Sequence, residues 1–513
     1  MLFYLRVMPI YLPAKVPPRS QAAITGLGRR CRHITLCLVT ACAILPTWRA
    51  AAAPLPSHPW FDVREFGAAG DGKRKDTEAI QQAVEAAAQQ GGGEVVLTAG
   101  RYLSGTITLR SGVTLHVQKG AVLLGSTDLA DYPQHQPPVP GPDLEFGRYS
   151  LVYAEGAQQV AVEGEGTIDG QGRDDAFHIA KRVAQGTSRH DAVYERPFVL
   201  TFIHCDGVHV SGLNLRNSAY WMQNYLDCDN VLIEGLTVRS RVNGNNDGID
   251  VDGSRNVRIA NCDIDTSDDA LCLKASYADC ERVVIENCVL RSSCNAFKCG
   301  TASMGGFRDI TASNCVVYDT RLSGIALEIV DGGTMDGVVV RGFVMRTVGA
   351  PLLIRLADRK RKWVDAKKPL PIGEIRNIII SDLVASGCGR PRFQPQSPLA
   401  SSIAGLAGHP IKGVTLSNFR VSHLGGGTED LAKLEKSNIP EAAKGYPEFD
   451  QFGDLPCYGL YCRHVDGLTL RDLEFDVATP DARPALLFDD APGLRSGGVF
   501  DRQKEVTAVA AHP

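Results

Sequence analysis

Several features that identify other classes of protein are missing from this sequence of 513 residues. No run of about 18 or more apolar residues is present, which excludes a conventional membrane-spanning helix. Glycine and proline, at 52 and 28 residues, are too few for a collagen-like or wholly disordered chain. Charged residues make up 22% and hydrophobic residues 44%, so the composition is that of a globular protein with a sizeable core.

Paired CxxC motifs and a surplus of positive charge are also missing. The formal net charge is −4, and seven of the 54 basic residues lie in the first 53 positions, where no acidic residue occurs. The rest of the chain is therefore distinctly acidic. We expect no structural zinc site of the CxxC type and no nucleic-acid partner. An acidic substrate needs only a local basic patch and stays possible.

Residues 1–53 predict a signal peptide. A basic stretch begins at Arg29, an apolar run follows from Ile34 to Leu45, and four alanines precede Pro54. This order matches the three regions of a secretory signal, and the apolar run is too short to span a bilayer comfortably. We therefore expect a secreted or periplasmic protein that is not held in a membrane.

A short segment of alternating apolar and polar residues recurs along the chain. Its aligned apolar positions, spaced 23 to 27 residues apart, are Val208, Val231, Val257, Val283 and Ile310. Short β-branched runs broken by Asn, Gly and Asp predict strands and turns, and this period is typical of solenoids. Each coil can bury its inner face only by stacking on the next. The sequence therefore predicts an all-β protein, a single right-handed parallel β-helix with Asn and Cys stacked at corresponding turns.

The repeat continues with longer insertions, which we expect to be loops on the flanks; its later positions are Val338, Ile378, Val414 and Leu468. Before the repeat, Asp76–Gln90 predicts a helix that ends at three glycines and covers the open end of the solenoid. We divide the chain into a leader (1–53), an N-terminal segment with the capping helix (54–112), the β-helix (113–495) and a C-terminal tail (496–513). A solenoid completes its own core, so we expect a monomer. Among the cysteines, only Cys457 and Cys462 are proposed as a disulfide, from their proximity.

Two acidic motifs lie nearly one repeat apart. They are N-N-D-G-I-D, which contains Asp247, and S-D-D-A-L-C-L-K, which contains Asp268 and Asp269. Stacked coils would bring the three carboxylates together on one face, where they cannot all be ionised cheaply. One of them should therefore hold a proton, as glycoside hydrolysis requires of its general acid.

From about Phe61 to about Leu494 the chain resembles glycoside hydrolase family 28, the polygalacturonase and rhamnogalacturonase family of parallel β-helices. The resemblance rests on FGAAGDGKRKDTEAIQQAV, RNSAYWMQNYL, N-N-D-G-I-D and the Asp-Asp pair. It implies that Asp268 is the general acid and that Asp247 and Asp269 activate water. It further implies an inverting mechanism without metal or cofactor, acting on a pectin-type polysaccharide.

Two motifs of that family are altered in this chain. Cys294-Asn295-Ala296 stands where polygalacturonases carry Gly-His-Gly, and Ala326-Leu327-Glu328 stands near Arg-Ile-Lys. The resemblance thus implies that the usual clamp for a galacturonate carboxylate is absent, unless it is replaced by Lys274, Lys298, Arg355 or Arg359. We therefore favour rhamnogalacturonan or decorated pectin, with a neutral sugar at the cleavage subsite, over plain homogalacturonan.

The candidates for substrate binding are Asn245, Asn246, Lys274, Asn295, Lys298, Glu328, Arg355 and Trp221. The asparagines could equally be stacked turn residues, the lysines could only neutralise the aspartates, and Trp221 could be a core residue. Asp263 and Asp265 are interpreted as turn formers. Weaker candidates are Asp331, Tyr458, Arg463 and Arg483.

Two other functions stay open at this point. A polysaccharide lyase on the same scaffold would need a carboxylate-bound cation and a basic residue that takes a proton. A non-catalytic carbohydrate-binding β-helix would use its aspartates only as turns.

Overall fold

The structure, a computed structural model, describes residues 59–136, 147–360, 370–389 and 399–503. Its strands pair in parallel, each with the strand one coil further along the chain. The predicted parallel β-helix is therefore confirmed, and three sheets, here named A, B and C, form its walls. The predicted signal peptide lies outside the described residues. No helix in the described ranges is long and apolar enough to cross a membrane.

Each coil contributes in turn to the three sheets. Sheet A begins with the strands Trp60–Asp62, Gly93–Leu97, Val113–Val117, Gln158–Glu163, Asp206–Ser211, Asp229–Glu234, Arg255–Ala260, Cys280–Glu286 and Phe307–Ser313. Sheet B begins with Asp71–Lys75, Gly100–Ser104, Ala121–Gly125, Thr167–Asp169, Asn214–Arg216, Thr237–Ser240, Asp263–Thr266 and Val289–Ser292. Sheet C contains Ile107–Thr108, Ser150–Glu155, Phe198–Ile203, Gln223–Leu226, Ile249–Asp252, Leu271–Ala275, Phe297–Ser303, Ser401–Ala404, Leu460–Arg463 and Leu486–Asp489.

In the later coils the strands run on from one sheet to the next. Val316–Ile329 belongs to sheets B and C, and Thr334–Leu356 belongs to all three. Sheets A and B are completed by Glu374–Cys388, Ile411–Gly425, Val465–Asp466, Thr469–Thr479 and Arg495–Asp501. The long insertion between Gly425 and Leu460 contains the short helices Glu429–Ala432 and Lys436–Asn438, in agreement with the flanking loop expected there.

The repeat seen in the sequence is the register of sheet A. Val208 pairs with Val231, Val231 with Val257, and Val257 with Val283. The same alignment continues through Ile310, Val338, Ile378 and Val414. These side chains are buried in one continuous core, because alternate residues of each strand point inward.

The predicted stacking of Asn and Cys occurs at the turn from sheet A to sheet B. Asn261, Asn287 and Asn314 take left-handed backbone conformations, with φ of 54° to 56°, which asparagine tolerates better than most residues. Each is followed by a buried cysteine: Cys262, Cys288 and Cys315. All twelve cysteines after the leader are free thiols, so the disulfide proposed between Cys457 and Cys462 is wrong.

The helix predicted at the start of the solenoid spans Thr77–Gln89, and its apolar face joins the main core through Ile80, Ala83 and Val84. Asp76 does not cap it with its side chain, because that carboxylate accepts hydrogen bonds from the backbone N–H groups of Ala69 and Gly70 instead. The remaining short helices are Val63–Phe66, Leu129–Asp131, Asp175–Phe177, Ile179–Ala184 and Arg189–Tyr194.

The solenoid extends further at both ends than the boundaries 113 and 495 that we expected. Trp60–Asp62 already pairs in parallel with Gly93–Leu97, and Arg495–Asp501 pairs with Thr469–Thr479. The early and late strands lack the regular repeat spacing, so the sequence pattern alone did not reveal them.

Candidate active site

Asp247 and the pair Asp268–Asp269 lie at the turn from sheet B to sheet C in consecutive coils. The backbone N–H of Gly248 donates to the carbonyl of Asp269 at 2.9 Å, and the N–H of Asp268 donates to the carbonyl of Asn246 at 3.3 Å. Sheet C begins just afterwards in both coils, with Ile249 paired to Leu271. The structure thus brings the three aspartates together on the outside of the solenoid.

Asp269 is held by several donors. Its Oδ1 accepts hydrogen bonds from the backbone N–H and the side-chain Nδ2 of Asn295, at 3.0 and 2.9 Å. Its Oδ2 lies 3.2 Å from Nζ of Lys298. Burial works to raise the pKa of Asp269, but Lys298 and Lys274 outweigh it and hold the pKa below its usual value. Asp269 is therefore an ionised carboxylate.

The pKa of the adjacent residue, Asp268, is shifted in the opposite direction. Asp268 is half-buried, and one of its oxygens, an oxygen of Asp269 and Sγ of Cys294 all lie within 4.8 Å of one another. Burial and then the charge of Asp269 raise the pKa of Asp268. These three groups could offer ligand atoms to a cation, while the Lys298 ammonium already supplies positive charge to Asp269.

A second lysine lies on the other side of the aspartates. Nζ of Lys274 is 3.2 Å from Asp250 and 4.0 Å from Asp247, and it lies 4.6 Å from the ring centre of Trp221. Burial and then the nearby Asp250 raise the pKa of Asp247, and burial raises the pKa of Asp250 to about 7. Two carboxyl groups therefore share one ammonium.

Asp250 was missed as a site residue by the sequence reasoning. The signal was present in N-N-D-G-I-D, because Ile249 and Val251 point into the core and the residue between them must point outward. Its carboxyl group is fully buried at the base of the cluster.

Glu328 extends the cluster by one coil beyond Lys298. Its Oε2 lies 3.9 Å from Nζ of Lys298, and the side chain is fully buried. Burial, opposed by Lys298, raises the pKa of Glu328 to about 8. Beside it, the guanidinium of Arg359 pairs with Asp331, so these two residues form the flank of the site.

Three asparagines lie in the turns that carry the aspartates or next to them. Asn246 is fully buried: its Oδ1 accepts from the N–H groups of Val242 and Asn243, and its Nδ2 donates to the carbonyls of Ser218 and Tyr220.

The other two asparagines make fewer contacts. Asn245 accepts a hydrogen bond from Arg196 at 3.1 Å. Asn295 holds Asp269 with its Nδ2 and accepts from the N–H of Ser323 with its Oδ1. Asn246 and Asn295 therefore use their amides to position the turns, and both side chains are buried.

Some sequence candidates are not part of the cluster. Arg355 is buried, and its guanidinium donates to the carbonyls of Gly405 and Glu441 although its backbone is next to Glu328. Trp221 is only 7% exposed and packs with Phe198 and Tyr220. Its ring lies against the Lys274 ammonium, and little of its surface is exposed for a sugar to stack on.

The interpretation of Asp263 and Asp265 as turn formers is wrong. Both belong to the strand Asp263–Thr266 and form ion pairs with arginines of neighbouring strands, Asp263 with Arg239 and Asp265 with Arg291. The outward positions of a strand favour such pairs. The late candidates Arg463 and Arg483 pair with Glu441 and Asp481, and Tyr458 donates to Asp501.

The insertion between Gly425 and Leu460 folds back so that part of it lies next to the aspartate cluster. The sequence pattern did not indicate this position. The ring of Tyr446 lies 5.4 Å from Nζ of Lys298 and 5.8 Å from the guanidinium carbon of Arg359, and this side chain is 52% exposed. Phe449 anchors the segment in an apolar cluster that reaches Cys294. The insertion thus places an open aromatic ring at the rim of the cluster.

Comparison with known proteins identifies relatives by sequence. The model of glycosyl hydrolases family 28 matches residues 105–330, and one described as rhamnogalacturonase A/epimerase, pectate lyase-like, matches residues 60–118. A probable polygalacturonase of Vitis vinifera is 29% identical over 382 residues, covering 70% of this chain and 73% of the relative. An exo-poly-alpha-D-galacturonosidase of Dickeya chrysanthemi is 25% identical over 380 residues, covering 64% and 63%.

Solved structures share the fold. The exopolygalacturonase of Thermotoga maritima is 21% identical with a TM-score of 0.63, covering 82% of this chain and 92% of its own. A family 28 exopolygalacturonase of Yersinia enterocolitica is 21% identical with a TM-score of 0.64, covering 85% and 78%.

Proposed function

We propose that the chain is a polygalacturonase-like hydrolase of O-glycosyl bonds in glycosyl hydrolases family 28, and that Asp268 is its general acid. The observation that carries this assignment is the opposite shift of two adjacent carboxyls: the pKa of Asp268 is raised and that of Asp269 is lowered. An acid must hold its proton until the transition state, whereas a base must be free to accept one.

The proposed reaction is a single displacement. Asp268 gives its proton to the glycosidic oxygen as the bond to the anomeric carbon breaks, and the leaving sugar departs as an alcohol. Asp269, with Asp247, takes a proton from a water molecule that attacks the opposite face of the anomeric carbon. The product therefore has inverted configuration. Asn295 and Lys298 keep Asp269 oriented and ionised.

We propose a pectic polysaccharide with a neutral sugar at the cleaved position, as in rhamnogalacturonan or decorated pectin. The cations that could clamp a uronate there are engaged: Lys274 by Asp250, Lys298 by Asp269, and Arg359 by Asp331. Arg355 donates to backbone carbonyls. A second carboxylate beside Glu328 would also be repelled whenever Glu328 is ionised.

The sugar next to the cleaved bond is proposed to stack on Tyr446. An exposed aromatic ring offers an apolar face to the C–H groups of a sugar while its hydroxyl stays in water. Two cations lie beside this ring and the aspartates lie beyond them, so a stacked sugar would be close to the reacting groups. The proposed substrate is a polymer outside the cell, which agrees with the export signal proposed for residues 1–53.

The assignment is tested by Asp268→Asn, which keeps the shape of the side chain but cannot donate an acidic proton. Turnover of pectic fragments should fall by about 10²–10⁴-fold, with substrate binding retained. Asp309→Asn, at an exposed position with φ of 53°, is the matched control and should retain wild-type turnover. The anomer first released should be inverted when followed by NMR.

Other outcomes would contradict the proposal. Retention of configuration would exclude the single displacement. An unsaturated, ultraviolet-absorbing product that disappears with chelator would indicate a lyase. Full turnover in Asp268→Asn would mean that this aspartate is only structural. Cleavage confined to unbranched galacturonan would contradict the neutral sugar.

A further inference from the structure

A groove lined by arginines lies on the outer face of sheet B, beside the turn that carries the aspartates. It has a volume of about 480 Å³, and its charged lining residues are Asp169, Arg173, Arg216, Arg239, Arg241 and Asp265. Asp265 precedes Asp268 by only three residues in the chain. The groove is therefore adjacent to the candidate active site but is built from different side chains.

The groove has more positive than negative charge to offer. Arg239 and Arg241 form ion pairs with Asp263 and Asp265. Within the part of the chain that the structure describes, Arg173 and Arg216 have no ion-pair partner, and both are exposed. Two guanidinium groups are thus available to an anion from solution.

Asp169, the strand partner of Arg216 in the preceding coil, already accepts hydrogen bonds from neutral donors. The carboxylate of Asp169 accepts two hydrogen bonds from Nδ2 of Asn217, both at 3.1 Å, and one from the N–H of Gln171 at 2.9 Å. Arg173 itself only donates a long bond of 3.3 Å to Oδ1 of Asn217. The neighbouring arginines therefore remain free of Asp169.

We propose that this groove binds the carboxylate groups of a uronate-rich stretch of the polysaccharide. Guanidinium groups suit planar carboxylates because they can donate two parallel hydrogen bonds. Arg173 and Arg216 line the same groove, so their two guanidinium groups can face the carboxylates of a uronate-rich stretch of the polymer.

This inference rests on the proposed pectic substrate and deepens it. The lysines beside the catalytic aspartates are already paired with carboxylates, whereas the groove offers guanidinium groups to solvent. Recognition of the charged part of the polymer is thereby separated from cleavage of a linkage next to a neutral sugar.

The test measures binding of pentagalacturonate by calorimetry in the full chain carrying Asp268→Asn, which cannot turn the ligand over. Adding Arg173→Ala and Arg216→Ala should weaken binding about tenfold or more and reduce its dependence on salt. Adding Arg420→Ala instead, at an exposed position seven coils from Arg216 on the same sheet, should leave binding unchanged. Fully methyl-esterified pentagalacturonate, which has no charge, should bind weakly to all three proteins.

Unchanged affinity after removal of Arg173 and Arg216 would overturn the inference, as would equal binding of the methyl ester or no binding of pentagalacturonate at all. The proposed function fails on a different result, namely wild-type turnover in Asp268→Asn without any groove substitution. The two failures can therefore be told apart in the same proteins.

Discussion

At the scale of single residues, the difference between Asp268 and Asp269 depends on where the lysines lie. Lys298 is 3.2 Å from Asp269, while Asp268 has the carboxylate of Asp269 as its close charged neighbour. An ammonium stabilises the ionised form of a carboxyl group, and a second carboxylate stabilises the protonated form. One buried cation thus helps to shift the pKa values of two chemically identical side chains in opposite directions, as the proposed roles of acid and base require.

Lys298→Met should therefore change the pH dependence of the enzyme. Loss of the ammonium raises the pKa of Asp269, whose ionised form is needed, so the acid limb of the kcat/KM profile should move up by about one to three pH units. Lys298→Arg keeps the charge and should keep the limb close to its wild-type position. An acid limb that stays in place in Lys298→Met would contradict the role given to this lysine.

Tyr446 gives a prediction about binding. Tyr446→Ala removes the stacking face and should raise KM for pectic fragments about tenfold, because stacking and desolvation contribute roughly 1–1.5 kcal/mol. Tyr446→Phe retains the ring and should restore the wild-type KM. If the Ala variant binds normally, or if Phe behaves like Ala, the proposed sugar contact is wrong.

At the scale of elements, the turn from sheet B to sheet C depends on Asn246. This buried side chain makes four hydrogen bonds to backbone groups, two as acceptor and two as donor. The position of the next residue, Asp247, depends on the conformation of that turn. The Asn246 amide therefore makes its hydrogen bonds within the fold and positions the turn.

Asn246→Ala should lower the free energy of unfolding by about 2–4 kcal/mol, because buried backbone groups lose their partners. Asn438→Ala, at an exposed position, should stay within about 0.5 kcal/mol of wild type. Urea unfolding measures both. Equal stability of the two variants would show that the turn does not depend on its asparagine.

Much of this element could be predicted from the sequence, because a fixed period places residues one repeat apart side by side. That reasoning predicted that Asp247, Asp268 and Asp269 lie next to one another in adjacent coils, and it predicted the strand register from Val208 to Val414. The same reasoning could not predict the position of Tyr446, because the insertion that carries this residue has no repeat from which its path could be inferred. Nor could it give the direction of the Arg355 side chain, which depends on carbonyls in a distant loop.

At the scale of the whole molecule, the three sheets enclose one core that must be closed at its first coil. The helix Thr77–Gln89 does this with its buried face, including Ile80, which is fully buried. An uncovered end would expose apolar side chains and unpaired strand edges.

Ile80→Ala should destabilise the molecule by about 2–5 kcal/mol, by loss of buried surface and formation of a cavity. Gln82→Ala, two residues further along on the exposed side of the helix, should change the unfolding free energy by less than about 0.5 kcal/mol. Denaturant unfolding followed by circular dichroism compares them. Equal stability would mean that the helix does not close the core.

The proposed roles of Asp268 as acid and Asp269 as base are tested most directly by comparing substrates whose leaving groups differ in acidity. An aryl glycoside with an acidic phenol leaves without being protonated, so it needs a base but no acid. We expect Asp268→Asn to cleave such a glycoside of the preferred sugar at a rate close to wild type while failing on the natural linkage, and Asp269→Asn to fail on both. Equal loss of both substrates in Asp268→Asn would contradict its assignment as the acid.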